Sequence, residues 1–229
     1  MRNEFINTGN VTKFNEICAE LEDSESLIGP SLGMITSPAG RGKTAAAIHY
    51  CTQTNAVYFP PLNVRTPAML LREMTFEIWK VRPVRIEACL AMIGDGMGKE
   101  RRLIMIDEAD LLPMQILEML RNLNERYSFP ILLIGEEDLK GKVSSRRRLS
   151  SRIRRRMEFS PVTQADVAIF FKRALNQKIS PEVCSSLHRH CRGDWRPILT
   201  AAIALERALK TSGLSEITME VVKNVIERA

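Results

Sequence analysis

Residues 32–44 read Leu32-Gly33-Met34-Ile35-Thr36-Ser37-Pro38-Ala39-Gly40-Arg41-Gly42-Lys43-Thr44, an apolar run that breaks into a glycine-rich loop ending in Lys-Thr. The loop departs by one residue from the phosphate-cradling pattern G-x-x-x-x-G-K-[ST], because Ser37 stands where the first glycine belongs. Such a loop needs a strand running in and a helix running out. Residues 32–36 supply the strand, and Thr44-Ala45-Ala46-Ala47-Ile48-His49 opens the helix. In that setting the segment Ser37-Pro38-Ala39-Gly40-Arg41-Gly42 wraps nucleotide phosphates with backbone N–H groups at a helix N-terminus. Lys43 reaches the β- and γ-phosphates, and the Thr44 hydroxyl ligates Mg²⁺. Gly40 and Gly42 keep the backbone close to the phosphates. Ser37 begins the loop away from the γ-phosphate, where a small residue with negative φ is expected to be tolerated.

A second element completes this chemistry. Leu103-Ile104-Met105-Ile106-Asp107-Glu108-Ala109-Asp110 is an apolar strand ending in acids, and open α/β folds hold their ligands at that sheet edge. Asp107 is the expected member of the Mg²⁺ shell, and Glu108 the expected base that orients and deprotonates an attacking water. A helix start decorated with acids would explain the pair alone, but not its partnership with the loop. A water-directed glutamate points to hydrolysis rather than to phosphoryl transfer onto a small molecule.

The rest of the chain fits a three-layer α/β domain followed by helices. Short apolar runs at 32–36, 56–59, 103–106, 131–134 and 157–159 read as buried parallel strands. Helical spacing occupies 11–21, 43–51, 67–79, 84–93 and 113–127. Beyond residue 160 the strands stop. Helical patterns cover 163–176, 181–191, 196–210 and 217–227, with Thr163, Ser180 and Ser215 as start signals. The expected organisation is an α/β nucleotide-binding domain over 1–160, opening on a helical segment at 1–30, and a small all-helical domain over 161–229. The expected sheet is five-stranded, mostly parallel and sandwiched by helices.

The chain has 229 residues, 45% hydrophobic and 26% charged, a composition that excludes membrane-spanning and disordered classes. No apolar segment follows the basic start, and five irregularly spaced cysteines do not make a disulfide framework. Both features point to the cytoplasm. The net charge of +6 is local: residues 140–156 hold nine basic residues and no acidic one, leaving the remainder slightly acidic. A concentrated basic surface is the footprint of a polyanion partner. Candidates for phosphate contact are Arg146, Arg147, Arg148, Arg155 and Arg156. A second set, Lys80, Arg82, Arg85, Lys99, Arg101 and Arg102, surrounds Gly94-Asp95-Gly96-Met97-Gly98, read as a turn. No helix-turn-helix or zinc-finger pattern stands out, and tyrosine and tryptophan are scarce, which disfavours sequence-specific and single-strand recognition. Cys184, His188, His190 and Cys191 lie close together on one helix. One helix rarely offers four tetrahedral ligands, so packing is the expected role.

The loop, the Asp-Glu strand end and the trailing helices together resemble the AAA+ ATPases. The resemblance implies a later strand ending in a polar sensor, an arginine supplied to a neighbouring subunit's site, and an arginine in the helical domain that touches the γ-phosphate. The sensor strand is Pro130-Ile131-Leu132-Leu133-Ile134-Gly135-Glu136-Glu137, whose end departs from the usual Asn, Thr or Ser. Leu149-Ser150-Ser151-Arg152-Ile153 nominates Arg152 for the trans-acting arginine, with Arg154 second. Gly193-Asp194-Trp195-Arg196-Pro197 nominates Arg196 for the helical domain. Asn7-Thr8-Gly9-Asn10-Val11, the Pro-Ala-Gly-Arg-Gly-Lys-Thr loop, Ile-Asp-Glu-Ala-Asp and Ser-Arg-Ile are similar to the phage Mu transposition protein B group. That likeness implies ATP-dependent, sequence-independent binding of duplex DNA, a homo-oligomeric filament on it, and a transposase as partner that stimulates hydrolysis. A helicase loader or replication initiator is the alternative within the same chemistry. A nucleotide-dependent switch docking a protein or lipid head group is the alternative outside it.

Overall fold

A computed structural model describes residues 4–23, 30–61, 63–212 and 216–226. In chain order the elements are α1 (Gly9–Glu22), β1 (Leu32–Thr36), α2 (Lys43–Gln53), β2 (Val57–Phe59), α3 (Pro67–Trp79), α4 (Ile86–Lys99) and β3 (Ile104–Ile106). There follow a 3₁₀ turn (Ala109–Leu111), α5 (Met114–Tyr127), β4 (Ile131–Gly135), α6 (Asp138–Ser144), α7 (Arg147–Ser150) and β5 (Ile153–Glu158). The chain ends in α8 (Gln164–Ala174), α9 (Pro181–Cys191), α10 (Trp195–Ser212) and α11 (Met219–Ile226). The Ser215 start signal and Glu227 lie outside the described residues.

The five strands form one parallel sheet in the order β2-β3-β4-β1-β5. β1 and β4 are buried at every position, as strands covered on both faces must be. Their register pairs Leu32 with Ile131 and Thr36 with Gly135, and β3 pairs Ile106 with Leu133. Aligned registers bring the carboxyl ends of β1, β3 and β4 to a common edge. On one side of the sheet, Leu117, Leu120 and Leu123 of α5 join Leu70, Leu71 and Met74 of α3 in a single apolar cluster with Ile104 and Ile131.

The chain divides into two units by contact, Val11–Pro38 with Lys43–Phe159, and Ser160–Ala229 with Met1–Asn10 and Ala39–Gly42. The second has its own core, in which Phe171, Leu187, Ile198 and Leu205 are buried. Its helices begin where the chemistry of their caps says they should. Thr163 and Asp166 form a capping box on α8, and the Ser180 hydroxyl accepts from Val183 N ahead of Pro181 in α9. Within the same unit the Asn10 side chain donates to Ser160 O at 2.9 Å and accepts from Ser160 N at 3.0 Å. No helix among the described residues is long and apolar enough to cross a membrane.

Two segments differ from the expectations. Residues 94–98 are not a turn: α4 runs through them to Lys99. Cys89, Ile93 and Met97 keep its buried face, and the glycines permit close packing rather than reversal. A Cβ on Gly96 would lie 2.0 Å from Trp79 Cζ2, and one on Gly94 would lie 2.6 Å from Tyr127 Cε1. The fifth strand starts at Ile153, ahead of the expected residue 157, so Arg154, Arg155 and Arg156 are strand residues. Among the described residues only β1 pairs with it, and an edge strand with partly solvated faces accommodates charge that an interior strand excludes. The basic run before it also contains α6 and α7, which propensity in so charged a stretch did not reveal.

Two glycine substitutions in helices should have opposite signs. Gly96→Ala is expected to destabilise by about 1–3 kcal/mol through overpacking on Trp79. Gly141→Ala, where the added Cβ meets nothing within 4 Å, should stabilise by up to about 1 kcal/mol. Thermal unfolding of the two variants measures the difference.

Candidate functional site

The parallel sheet delivers the end of β1 into the loop at Ser37, which is fully buried. The loop residues with positive φ are Gly40 (75°) and Gly42 (93°); Ser37 is not among them, so a Cβ there carries no backbone strain. The serine also contributes. Lys43 Nζ donates to Ser37 O at 2.8 Å, Ser37 Oγ at 3.0 Å and Pro38 O at 3.0 Å. Ser37 Oγ in turn donates to Pro38 O at 2.9 Å. The lysine ammonium is thus folded onto the loop's own oxygens, a buried charge compensated by acceptors that nucleotide phosphates would replace.

The next residue ties the loop to β3. Thr44 Oγ1 donates to Asp107 Oδ2 at 2.7 Å, and Tyr58 OH donates to the same oxygen at 2.8 Å. Asp107 Oδ1 accepts from Glu108 N at 2.9 Å. Both oxygens of this buried carboxylate are therefore oriented. The tyrosine is held in its neutral form, because burial and the adjacent Asp107 push the Tyr58 phenol far above its usual range. Tyr58 was not marked by the sequence reading. The signal available was a single polar tip in the otherwise apolar β2. A threonine hydroxyl and a carboxylate in contact, at the N-terminus of α2 and beside a lysine, make a hard-oxygen donor set that fits Mg²⁺. The positive φ of Gly40 and Gly42 lets the loop backbone turn without strain.

Glu108 has φ 48° and ψ 35°, a left-handed conformation costing a residue with a Cβ roughly 1–2 kcal/mol. It turns the exposed side chain out of the strand line at the sheet edge. Strain of this kind concentrates where function fixes a side chain's direction.

The end of β4 is organised by Asp110, another residue with no role assigned from sequence. A Cβ at Gly135 would fall 2.5 Å from Asp110 Oδ1, and that oxygen accepts from Glu136 N at 2.9 Å. Lys142 Nζ donates to Asp110 O and to Leu112 O. Gly135 is small because the aspartate occupies its side-chain space.

In the helical unit the loop tip meets the start of α10. Trp195 N donates to Gly40 O at 2.9 Å, and Arg41 Nη1 donates to Arg192 O at 3.3 Å. A Cβ at Gly40 would collide with the Asp194 carboxylate, and one at Gly42 would touch the Trp195 ring. Asp194 Oδ1 accepts from Arg196 N at 2.7 Å, while the Arg196 side chain is exposed.

The remaining candidates fall into engaged and unengaged groups. Arg152 pairs with Glu125 at 2.5 Å, and Arg155 pairs with Glu20. Arg156 donates to Ser150 O and Oγ at 2.9 Å, and Arg154 lies in β5. Lys80 pairs with Glu77 at 3.3 Å; Arg82 pairs with Glu73 at 2.9 Å and stacks on Phe76, 3.5 Å from its centroid. Arg101 donates to Leu21 O, and burial pulls its guanidinium below the ordinary value. Arg102 donates to Asn55 O at 2.7 Å. Lys99 ends α4 and is exposed, as are Arg146, Arg147 and Arg148. Of the cysteine and histidine cluster, Cys184 Sγ donates to Gln164 O, Cys191 Sγ to His188 O, and His188 Nε2 lies 3.0 Å from Val162 O. Among the described residues no three His, Cys, Asp or Glu gather as a metal-holding group.

The sequence profile of the family described as an AAA domain matches residues 28–143. No curated protein matches the chain. Among solved structures, the Thermotoga maritima RuvB Holliday junction branch migration motor superposes with a TM-score of 0.66 at 21% identity, covering 98% of this chain and 70% of that one. The Aeropyrum pernix ORC2 protein, solved as ADPNP-ADP complexes, gives 0.70 at 12% identity, covering 99% and 70%. Cdc6p from Pyrobaculum aerophilum gives 0.69 at 15%, covering 98% and 69%. At these identities the likeness is one of fold.

Restoring the motif glycine should not help. Ser37→Gly removes a buried acceptor of the Lys43 ammonium and loosens the backbone, an expected loss of about 1–3 kcal/mol seen as a lower unfolding temperature. An unchanged or higher temperature would show that the hydroxyl contributes nothing.

Proposed function

The chain belongs to the AAA domain family, and from that premise we propose that it is an ATP hydrolase that binds duplex DNA without sequence preference. In this proposal it assembles on the duplex as a homo-oligomer and serves a transposase as its target-selection partner. The hydrolase part is carried by the convergence of Lys43, Thr44, Asp107 and Glu108 through the Thr44–Asp107 hydrogen bond at one sheet edge. The DNA part is supported by basic charge concentrated in one segment of an otherwise slightly acidic chain. The transposase part rests on the resemblance of the loop, strand-end and Ser-Arg-Ile segments to the phage Mu transposition protein B group.

Lys43 exchanges the Ser37 and Pro38 oxygens for the β- and γ-phosphate oxygens of ATP, so its buried charge is never left without acceptors. Thr44 and Asp107 would hold Mg²⁺, which when bound offsets charge on the phosphates. Tyr58 keeps Asp107 in the orientation this requires. Glu108, exposed at the strand end, orients the attacking water and accepts its proton. Arg152 of one copy, with Arg154 as second candidate, would complete a neighbour's site after leaving Glu125, which makes turnover depend on assembly. Arg196 is the candidate for γ-phosphate contact from the helical unit.

The decisive test combines ATPase measurement at low salt, with and without random-sequence duplex, and electron microscopy with a non-hydrolysable ATP analogue. DNA-stimulated turnover and continuous filaments are expected. Closed rings would favour a helicase loader or initiator, and absence of any DNA effect would favour a protein-docking switch. Lys43→Ala should abolish nucleotide-dependent assembly, whereas Glu108→Gln should assemble but turn over slowly. Arg152→Ala should retain nucleotide binding and lose on the order of 10³-fold in assembled turnover.

Tyr58→Phe should weaken nucleotide binding in the presence of Mg²⁺ and leave binding in its absence unchanged. Fluorescent-nucleotide titration at graded Mg²⁺ reads this directly. An equal loss under both conditions would mean that the phenol serves the fold alone.

A further inference from the structure

Basic residues are not equally available for a partner. Within 140–156, Lys140 is paired with Glu158, Lys142 is bonded to Asp110 O and Leu112 O, Arg152 to Glu125, Arg155 to Glu20 and Arg156 to Ser150. Each therefore has part of its charge or of its donor set already committed within the chain. Arg146, Arg147 and Arg148 are consecutive and exposed, and no ion pair or side-chain hydrogen bond engages them among the described residues.

These three arginines form a wall of a groove of about 750 Å³, whose apolar lining comes from Pro67, Met114 and Met119. Gln115, which also lines it, donates to Arg65 O at 3.2 Å, so a fourth exposed arginine stands near its margin. The one acid in the lining, Glu118, is neutralised by Arg121 at 3.1 Å. A concave surface with three like charges, whose one acid is already paired with Arg121, is complementary to a polyanion. Unbranched methionines offer adaptable apolar surface to the sugar edges between phosphates.

We infer that Arg146, Arg147 and Arg148 are the principal phosphate-contacting wall for duplex DNA, an assignment that rests on the DNA-binding reading above. The paired residues Lys80, Arg82, Arg152, Arg155 and Arg156 are not the principal contacts. Three phosphate contacts account for roughly 2.7 in the slope of log affinity against log salt.

The test is anisotropy of a fluorescent random-sequence duplex with the full chain and a non-hydrolysable ATP analogue, across about 50 to 200 mM salt. The combined variant Arg146→Ala, Arg147→Ala, Arg148→Ala should bind nucleotide normally, weaken DNA binding about 10-fold or more at low salt, and reduce the slope by about 2 to 3. Lys80→Ala with Arg82→Ala should keep the wild-type slope. Replacing the three arginines by lysine should restore both affinity and slope, showing that charge and not folding was lost. A wild-type slope in the alanine variant overturns the assignment while the DNA reading stands. So does loss of nucleotide-dependent self-association without DNA, which would give the wall to a contact between copies. If the wild-type chain shows no salt-dependent duplex binding at all, the DNA reading itself falls, and the assignment with it.

Discussion

The hydrogen bond from Thr44 to Asp107 joins residues 63 apart in sequence, and much of the architecture can be understood as what is needed to make it. Thr44 is placed by the strand-loop-helix passage from β1 into α2, and Asp107 by the end of β3. Neither strand touches the other, because β4 lies between them. The bond therefore depends on two parallel registers, Ile106 with Leu133 and Thr36 with Gly135, both set by complete burial of the apolar strands. A slip of one residue in either would turn every side chain to the other face and part the pair. Packing energy spread over the core is thus converted into the position of two oxygen atoms.

Those parts of the fold whose signal is periodic or compositional were legible in the sequence. The buried strands are unbroken apolar runs, the helices of the second unit carry caps such as Thr163 and Ser180, and the loop announces itself by Gly-Lys-Thr. Failures occurred where the deciding contact is tertiary. Glycines at 94 and 96 read as a turn because their use, lying against Tyr127 and Trp79, is visible only once α3 and α5 are beside α4. Tyr58 and Asp110 are unremarkable by type. Their importance comes from the oxygen and the strand end that topology brings to them.

Charge shows the same division. Counting located a basic segment correctly, but a count does not record partners. Glu20, Glu73, Glu77 and Glu125 come from distant or helical positions and each claims a cation that composition alone left free. At exposed sites such pairs contribute little to stability, with a median near 0–1 kcal/mol. Their effect is selective instead: they divide a run of similar residues into those already committed and those available.

The arginines of β5 have one more consequence. Among the described residues this strand ends the sheet, and its outer backbone groups have no strand neighbour. An open edge is a template on which another polypeptide can add in cross-β fashion, a path to aggregation for any chain present in many copies at one place. Pairing of two β5 edges in parallel register would stack Arg154, Arg155 and Arg156 of one copy against the same cations of the other. Like charge at these positions thereby disfavours extension of the sheet by a second copy. Were copies crowded together, charge on this edge would favour contact through folded surfaces over extension of a common sheet.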